Sequence, residues 1–395
     1  MLKFFSASTR SVNARRGITE CMESALGENV SDCNLVMIHA SMGHNFAELT
    51  AQVREMAPGA RVVASSCCGI VGREGVSETM KDIAIMAVRG KEFAVSWADG
   101  IYGYNSYEKC LEIAKELYSS DSAVNMIYFL ASGIDIDNDL CIAAIEEVFG
   151  TGVTVFGATS SDNMRGVTSV QAVDDKVFEH AAFMVGFSDP TLAVETQATH
   201  GFVPVADPLV VTKAEGYKII ELDGKPAWPE YLRRLGLDAT ATCGDSIPIG
   251  ALAERLEPEM AGAYGNNHIL RVVTHHENDV ILYSTTVQEG TQLWLTKRDE
   301  DMIFSKMDKM VNSMAAAIKG HELVAMFHAD CLARGKFLFN RILKEELVNR
   351  MQQPFTKEGE IIPWLGMYGF GEFARLNGKN SYHNYTTALY IIYRK

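Results

Sequence analysis

The sequence predicts an α/β fold with mixed sheets, built from repeated β-α-β-β units and divided into two associated domains. An order of apolar run, helical stretch, apolar run, small-residue loop and apolar run recurs along the chain, which indicates a duplicated unit. The apolar runs are continuous rather than alternating. This pattern is typical of strands that are buried on both faces.

The first copy begins with an apolar run at residues 35–38 and continues into a helical stretch from Phe46 to Met56. Pro58 and Gly59 end this stretch, because proline cannot continue a helix and glycine tolerates the left-handed exit. An apolar run at 61–64, a small-residue loop at 65–75 and an apolar run at 83–88 complete the copy.

The second copy repeats this order at residues 126–130, 139–149, 153–156, 157–166 and 182–185. Its first two runs start 27 residues apart, against 26 in the first copy. We therefore predict that residues 35–88 and 126–185 form the same β-α-β-β unit. A looser third copy uses residues 323–327, a helix from about Lys336 to Arg350, and residues 365–368, 369–378 and 387–392.

Between the second and third copies, shorter segments alternate in polarity, for example at 209–212, 217–222 and 269–273. Asp223 and Gly224 predict a hairpin turn or strand end. An amphipathic helix is predicted from Asp301 to Lys319. We place an N-terminal domain at residues 1–230 and a C-terminal domain at residues 231–395.

Composition and charge indicate a cytoplasmic globular protein. Of the 395 residues, 47% are hydrophobic and 22% are charged, as in ordinary globular chains. A formal net charge of −14 repels phosphate backbones, so we expect no nucleic-acid partner.

The N-terminus lacks the apolar stretch of a signal peptide, and no apolar run predicts membrane insertion. The eight cysteines lack zinc-type spacing and are expected to be reduced, buried thiols.

Several short motifs follow one another in an order that is specific when they are taken together, namely residues 62–69, 155–162, 211–216, 220–227, 331–334, 368–372 and 383–386. In this order they resemble the FIST family, a pair of linked intracellular sensory domains of microbial signalling proteins. The resemblance runs from Leu35 to Tyr393. One position departs from it, because Ile70 stands where family members often carry an acidic residue.

The resemblance implies a small-molecule sensor without enzymatic activity. Such domains are coupled to histidine kinases, cyclic-dinucleotide enzymes or chemoreceptors. Because the sensory region occupies almost the whole chain, we expect the output to act through a separate partner, a histidine kinase or another signalling protein. Stand-alone members of this size resemble a haem-binding, nitric-oxide-sensing branch, which implies haem b as the cofactor.

Small-residue loops after the repeated strands are the first candidate ligand site. Backbone N–H groups and hydroxyls at such strand ends can face a ligand, and we select five residues there: Ser66, Cys67, Gly157, Ser161 and Asp162. The alternative is that these loops are tight turns that need small residues for packing.

Charged residues in the third copy suggest a second kind of contact. Cys331 and Arg334 directly follow a predicted buried strand, and Glu372 lies in the next loop. An arginine that binds a carboxylate opposite a glutamate that binds an ammonium group would hold an amino-acid zwitterion. The alternative is a structural Arg–Glu pair that fixes the two loops.

Three histidines are candidate ligands for a haem iron. His200 precedes a glycine in the segment between the two halves and is the first choice, with His328 and His383 as alternatives. His383 is also a candidate ligand-binding residue. Each could instead be a hydrogen-bonded structural histidine. A third hypothesis is an enzyme with Cys331 as nucleophile and His328 or His383 as base.

Overall fold

The computed structural model describes residues 1–335 and 340–395. These residues form two compact units. Unit 1 comprises Met1–Ala198, Met310–Tyr382 and Thr387–Lys395, and unit 2 comprises Thr199–Lys309 and His383–Thr386. The proposed domain boundary at residue 230 stays a prediction, because each compact unit is built from separate segments of the chain and neither ends at that residue.

The first copy of the repeat has a parallel strand pair at its centre. Its elements in chain order are β1 (Lys3–Arg10), α1 (Ala14–Leu26), β2 (Leu35–Ser41), α2 (Phe46–Met56), β3 (Arg61–Cys67), β4 (Ile70–Gly72), β5 (Gly75–Ser77) and β6 (Asp82–Arg89). Strand β2 pairs with β3 in parallel and with β6 in antiparallel orientation.

The second copy has the same order and pairing. Its elements are β7 (Phe93–Asp99), α3 (Ser106–Ser120), β8 (Met126–Ala131), α4 (Asn138–Phe149), β9 (Thr154–Thr159), β10 (Gln171–Val173), β11 (Lys176–Phe178) and β12 (Ala181–Phe187). Strand β8 pairs in parallel with β9 and antiparallel with β12. The predicted fold class and the predicted duplication are therefore confirmed.

A long insertion follows β13 (Leu192–Thr199), the first strand of the third copy, and supplies most of unit 2. It contains β14 (Phe202–Pro204), β15 (Leu209–Glu215), β16 (Lys218–Leu222), β17 (Lys225–Pro226), α5 (Ala227–Leu235), α6 (Cys243–Ser246), β18 (Ala251–Arg255), α7 (Pro258–Tyr264), β19 (His268–Arg271), β20 (Val273–Glu277), β21 (Val280–Tyr283) and β22 (Gln292–Arg298). Seven of these strands follow the order β19-β18-β22-β15-β16-β21-β20 in one sheet.

The third copy then resumes with α8 (Glu300–Ala317), β23 (Glu322–Cys331), α9 (Arg341–Gln352), β24 (Thr356–Lys357), β25 (Glu360–Ile361), β26 (Trp364–Gly369), β27 (Glu372–Leu376), β28 (Lys379–His383) and β29 (Thr387–Arg394). Strand β23 pairs with β26 in parallel and with β29 in antiparallel orientation. The predicted helix start at Lys336 lies outside the described residues.

The three copies exchange their hairpins within unit 1. The sheets have the orders β1-β6-β2-β3-β10-β11, β7-β12-β8-β9-β27-β28 and β13-β29-β23-β26-β4-β5. The hairpins are β4–β5 in the first copy, β10–β11 in the second and β27–β28 in the third. Each hairpin extends the sheet of another copy: β10 pairs with β3, β27 with β9 and β4 with β26. Each of these three strands is therefore hydrogen-bonded to a hairpin from another copy.

Helix starts show why the repeat folds in the same way three times. Asn45, Asp137 and Asn340 are the N-caps of α2, α4 and α9, and each side chain accepts a hydrogen bond from a backbone N–H of the first turn. Such a cap satisfies a donor that has no partner within the helix. The helix after the first parallel strand therefore begins at an equivalent point in each copy.

The helices of the first two copies cover one face of their sheets. Ile18, Leu49 and Val53 pack with Val36 and Ile38 in the first copy, and all five are fully buried. In the second copy, α3 and α4 pack against β8 and β9 in the same way. Within the described part of the chain, no helix is long and apolar enough to cross a membrane.

Candidate functional site

The predicted loops after β3, β9 and β26 meet in unit 1. The amide of Ser161 donates to the carbonyl of Ser66 at 3.1 Å, and the Ser161 hydroxyl donates to the carbonyl of Tyr368 at 2.7 Å. Cys68 N–H also donates to this carbonyl, at 3.0 Å. Hydrogen bonds therefore connect the three loops directly.

Most polar groups of the first two loops are used to fix the loops themselves. The Ser66 hydroxyl accepts a hydrogen bond from Val170 N–H at 2.8 Å. Asp162 is 4% exposed, and its carboxylate accepts from four successive backbone amides, those of Arg165, Gly166, Val167 and Thr168. These contacts favour the packing alternative over direct ligand contact, because the acceptors are already engaged.

Cys67 and Gly157 have structural reasons for their positions. Burial raises the pKa of the Cys67 thiol well above its usual value, so the side chain stays protonated and unreactive. Gly157 has φ +136°, and a Cβ atom there would lie 2.1 Å from the Phe129 carbonyl oxygen. Glycine is required where two parallel strands approach this closely.

Arg334 is the functional candidate with the most unusual surroundings. It ends a short 3-10 turn, Leu332–Arg334, directly after β23, and it is 1% exposed. Its Nε donates to Asp330 Oδ1 at 2.9 Å. Its Nη1 and Nη2 atoms have no hydrogen-bond partner in residues 1–335 or 340–395. Buried guanidinium groups are normally saturated with acceptors.

Residues on β23 and β26 surround this arginine. His328 and Asp330 alternate along β23, and His328 Nε2 lies 3.5 Å from Asp330 Oδ2 and 3.0 Å from Thr387 Oγ1. Tyr368 is the register partner of Asp330 on β26. Burial and then the Asp330 carboxylate raise the pKa of Tyr368, whereas Arg334 opposes this shift. The phenol therefore stays neutral beside the ion pair.

The predicted pairing of Arg334 with Glu372 does not form. The ion-pair partner of Arg334 is Asp330. Glu372 is fully buried at the start of β27, opposite Ala158. Burial and then the Glu372 charge raise the pKa of Tyr390. The alternative of a structural Arg334–Glu372 pair is therefore wrong, whereas the roles of Arg334 and Glu372 in binding a zwitterion stay predictions.

Cys331 and His328 do not form a nucleophile–base pair in the described structure. Cys331 is 3% exposed. His328 Nδ1 has no hydrogen-bond partner in the parts of the chain that the structure describes, and Nε2 faces Thr387. These contacts give no support to Cys331 as a nucleophile with His328 as its base, and the alternative base His383 stays a prediction.

Glu78 and Lys344 are charged residues near Arg334 that sequence reasoning missed. They form an ion pair with side chains that are 9% and 8% exposed. Glu78 Oε1 lies where a Cβ atom on Gly335, the residue after Arg334, would meet it at 2.1 Å. The two residues are 266 positions apart, and no local motif links them.

The candidate haem ligands His200 and His383 both belong to unit 2. Each ring packs against Tyr264, with centroid distances of 5.5 Å and 5.2 Å. His200 Nδ1 accepts from Phe202 N–H at 3.1 Å, and Nε2 lies 2.9 Å from the His268 carbonyl oxygen. Both nitrogens are engaged by the backbone, so iron ligation by His200 does not fit this arrangement.

Metal binding through other residues gains no support from the described chain. No group of three or more His, Cys, Asp or Glu side chains within residues 1–335 and 340–395 is arranged to hold a metal ion. His328 and His383, the alternative haem ligands, are 2% and 1% exposed. Ligation by either stays a prediction.

The burial of His383 predicts a pH dependence of stability. Burial, with smaller contributions from Arg271 and His200, lowers the pKa of His383 to about 3, whereas an unfolded chain has a His pKa of about 6.5. Below pH 6.5 the unfolded state binds the proton more readily, so stability falls as the pH falls towards 3. At pH 5 the loss from this residue is about 2 kcal/mol.

Urea unfolding at pH 7 and pH 5 measures this effect. We expect His383→Gln to reduce the stability difference between the two pH values, while His275→Gln, at an exposed position, leaves it unchanged. An equal difference in the wild type and His383→Gln would show that His383 does not titrate in this way.

Comparison with protein families assigns this chain to a class of sensory proteins. Residues 34–225 match the FIST N domain and residues 227–375 match the FIST C domain. The chain belongs to the FIST family. FIST domains are associated with signal transduction and with the sensing of small ligands, so the recognised family is confirmed.

Two curated relatives are uncharacterized proteins of Mycobacterium bovis and Mycobacterium tuberculosis. Each is 24% identical over 245 residues, which cover 61% of this chain and 60% of the relative. The match therefore spans less than two thirds of the length of these relatives.

Similar solved structures include a cyanuric acid hydrolase and the Thermotoga maritima PurL in complex with ATP. The first is 9% identical, with a TM-score of 0.38 and coverage of 100% of this chain and 99% of that chain. The second is 9% identical, with a TM-score of 0.21 and coverage of 100% and 71%. These likenesses are too low to transfer either activity.

Proposed function

We propose that this FIST protein senses a small zwitterionic ligand, of the amino-acid class, whose carboxylate binds Arg334 in unit 1. The observation that carries the proposal is the buried guanidinium with two unpartnered Nη atoms among the described residues. A carboxylate matches the guanidinium fork with two parallel hydrogen bonds. A ligand that supplies them removes the cost of burying unsatisfied donors.

The charge balance of the site favours a zwitterion over a simple anion. Arg334 is balanced by Asp330, and Lys344 is balanced by Glu78. A ligand with a net charge would therefore leave an uncompensated charge in a buried site, which is costly. A zwitterion adds one charge of each sign, and we assign its ammonium group to Glu78.

We propose that the signal is passed to a separate partner protein, as expected for a sensory module, and that the protein acts in the cytoplasm.

Haem-based nitric-oxide sensing and a histidine-kinase partner rest on the family resemblance and stay predictions. The engaged nitrogens of His200 weigh against the haem alternative. A Soret band of the purified protein that moves when nitric oxide is added would support that alternative.

A thermal-shift screen with amino acids tests the proposed function. We expect at least one amino acid to raise the melting temperature, because a ligand that binds the folded state stabilises it. The corresponding amine without its carboxylate should give no shift. A screen in which no zwitterion stabilises the protein would contradict the proposal.

Titration calorimetry with the stabilising amino acid then tests the residue. Arg334→Lys keeps the charge but loses the bidentate fork, so we expect about 10- to 100-fold weaker binding. The matched control is Arg350→Lys, at an exposed arginine of the same unit that pairs with Glu346. Equal affinity of wild type and Arg334→Lys would exclude Arg334 as the carboxylate ligand.

A further inference from the structure

A small pocket opens on the surface of unit 1 beside the Arg334 site. Its volume is about 210 Å³ and it is lined by Arg10, Val76, Ser77, Glu78, Thr79, Lys344 and Glu345. Both members of the Glu78–Lys344 ion pair therefore face this pocket. The lining includes two cations and two carboxylates, which is the same balance of charge as at the Arg334 site.

A short series of contacts leads from the pocket to Arg334. Glu78 packs against Gly335, where a Cβ atom would also lie 3.2 Å from Tyr368 Cδ1. Tyr368 is close enough to Asp330 and Arg334 for both charges to affect its pKa. Glu78, paired with Lys344, thus connects the pocket to Gly335, the residue that follows the buried Arg334.

We propose that this pocket is the entrance to the Arg334 site and that the Glu78–Lys344 ion pair is the gate that closes it. The proposal rests on the proposed role of Arg334 in ligand binding. An entering zwitterion opens the gate by exchanging partners: its ammonium group binds Glu78, and its carboxylate passes Lys344 to reach Arg334. Glu78 and Lys344 are therefore specificity-determining residues as well as the gate.

The backbone on both sides of the gate is anchored, so opening requires side-chain rotation. Asp82 accepts hydrogen bonds from Ser77 Oγ at 2.7 Å and from Thr79 N–H at 2.6 Å, which fixes the turn that carries Glu78. At the end of α9, Gln352 Nε2 donates to the Gly72 carbonyl at 2.7 Å. Long flexible side chains on a fixed backbone can separate without unfolding.

The gate pair is suited to exchange its partner. Burial lowers the pKa of Lys344 to about 8, and its ammonium group pairs with the Glu78 carboxylate. Desolvation thus offsets part of the attraction between the two charges. A ligand that supplies new charged partners loses little when it replaces this contact.

Chemical labelling of Arg334 with phenylglyoxal tests the gate without any ligand. The labelling rate is followed by mass spectrometry of the peptide that contains Arg334. In the wild type we expect slow labelling, since the guanidinium is 1% exposed. Lys344→Met and Glu78→Gln should each label about tenfold faster, because the local opening becomes easier.

Two variants separate gate opening from general loosening of the fold. Glu78→Lys combined with Lys344→Glu restores an ion pair of reversed polarity and should return the rate towards the wild-type value. Lys357→Met removes an exposed pair with Glu322 in the same unit and should leave the rate unchanged.

An unchanged Arg334 labelling rate in both single variants would overturn the gate. So would fast labelling of Arg334 in the wild type, or a charge-reversed double variant that stays as fast as the single variants. None of these outcomes depends on ligand binding. The labelling experiment therefore tests the gate, and the amino-acid titrations test ligand binding at Arg334 independently of it.

Discussion

Replacing Arg334 with methionine is expected to lower the free energy of unfolding by about 3–5 kcal/mol, because it leaves the Asp330 carboxylate buried without its partner. The pair is 2.9 Å apart, with side chains that are 1% and 2% exposed. His328 Nε2 lies 3.5 Å from Asp330 Oδ2 and closer, at 3.0 Å, to Thr387 Oγ1. Urea unfolding, followed by circular dichroism, measures the loss.

Two controls identify the cause of this loss. Arg350→Met removes an exposed pair and should cost at most about 1 kcal/mol. Adding Asp330→Leu to Arg334→Met should recover most of the stability, since replacing both buried charges by apolar groups is often neutral. A loss below about 1 kcal/mol in Arg334→Met would contradict the buried ion pair.

Gly157→Ala is expected to destabilise unit 1 by about 4 kcal/mol or more, or to prevent folding, because it combines a steric overlap with backbone strain. The new Cβ atom would lie 2.1 Å from a backbone atom, the Phe129 carbonyl oxygen. The backbone at +136° also lies in a region that residues with a side chain rarely adopt. Since Phe129 and Gly157 are register partners in β8 and β9, relief would require separation of the parallel pair.

Gly152→Ala is the matched control, because a Cβ atom there has no neighbour within 4 Å. Its free energy of unfolding should stay within about 0.5 kcal/mol of the wild-type value, as for ordinary surface substitutions. If Gly157→Ala unfolded at the same urea concentration as the wild type, the close approach of β8 and β9 would be wrong.

The repeated unit could be predicted because its signals are local. Continuous apolar runs define β2 and β8, and Pro58, Gly59 and Gly150 end helices at the expected points. The hairpin exchange between copies depends on pairings such as β4 with β26. These residues are far apart in sequence, and neither strand carries a pattern that specifies its distant partner.

Site residues that directly follow a strand could be predicted from the sequence. Their contact partners, which lie far away in the sequence or inside a buried strand, could not. Ser161 and Ser66 lie in the predicted loops, yet their hydrogen bonds fix those loops. Arg334 was found because it follows β23. Its carboxylate, Asp330, lies within a buried strand, where sequence patterns favour apolar residues. The gate residues Glu78 and Lys344 come from different copies of the repeat.

A crystal structure of the protein with the most stabilising amino acid is the sharpest test of ligand binding at Arg334. We predict that both carboxylate oxygens of the ligand lie about 2.8 Å from Nη1 and Nη2 of Arg334, with the ligand ammonium group on Glu78 and the Glu78–Lys344 pair separated. A ligand bound elsewhere, with no contact to Nη1 and Nη2 of Arg334 and the Glu78–Lys344 pair intact, would show that Arg334 is not the ligand-binding residue.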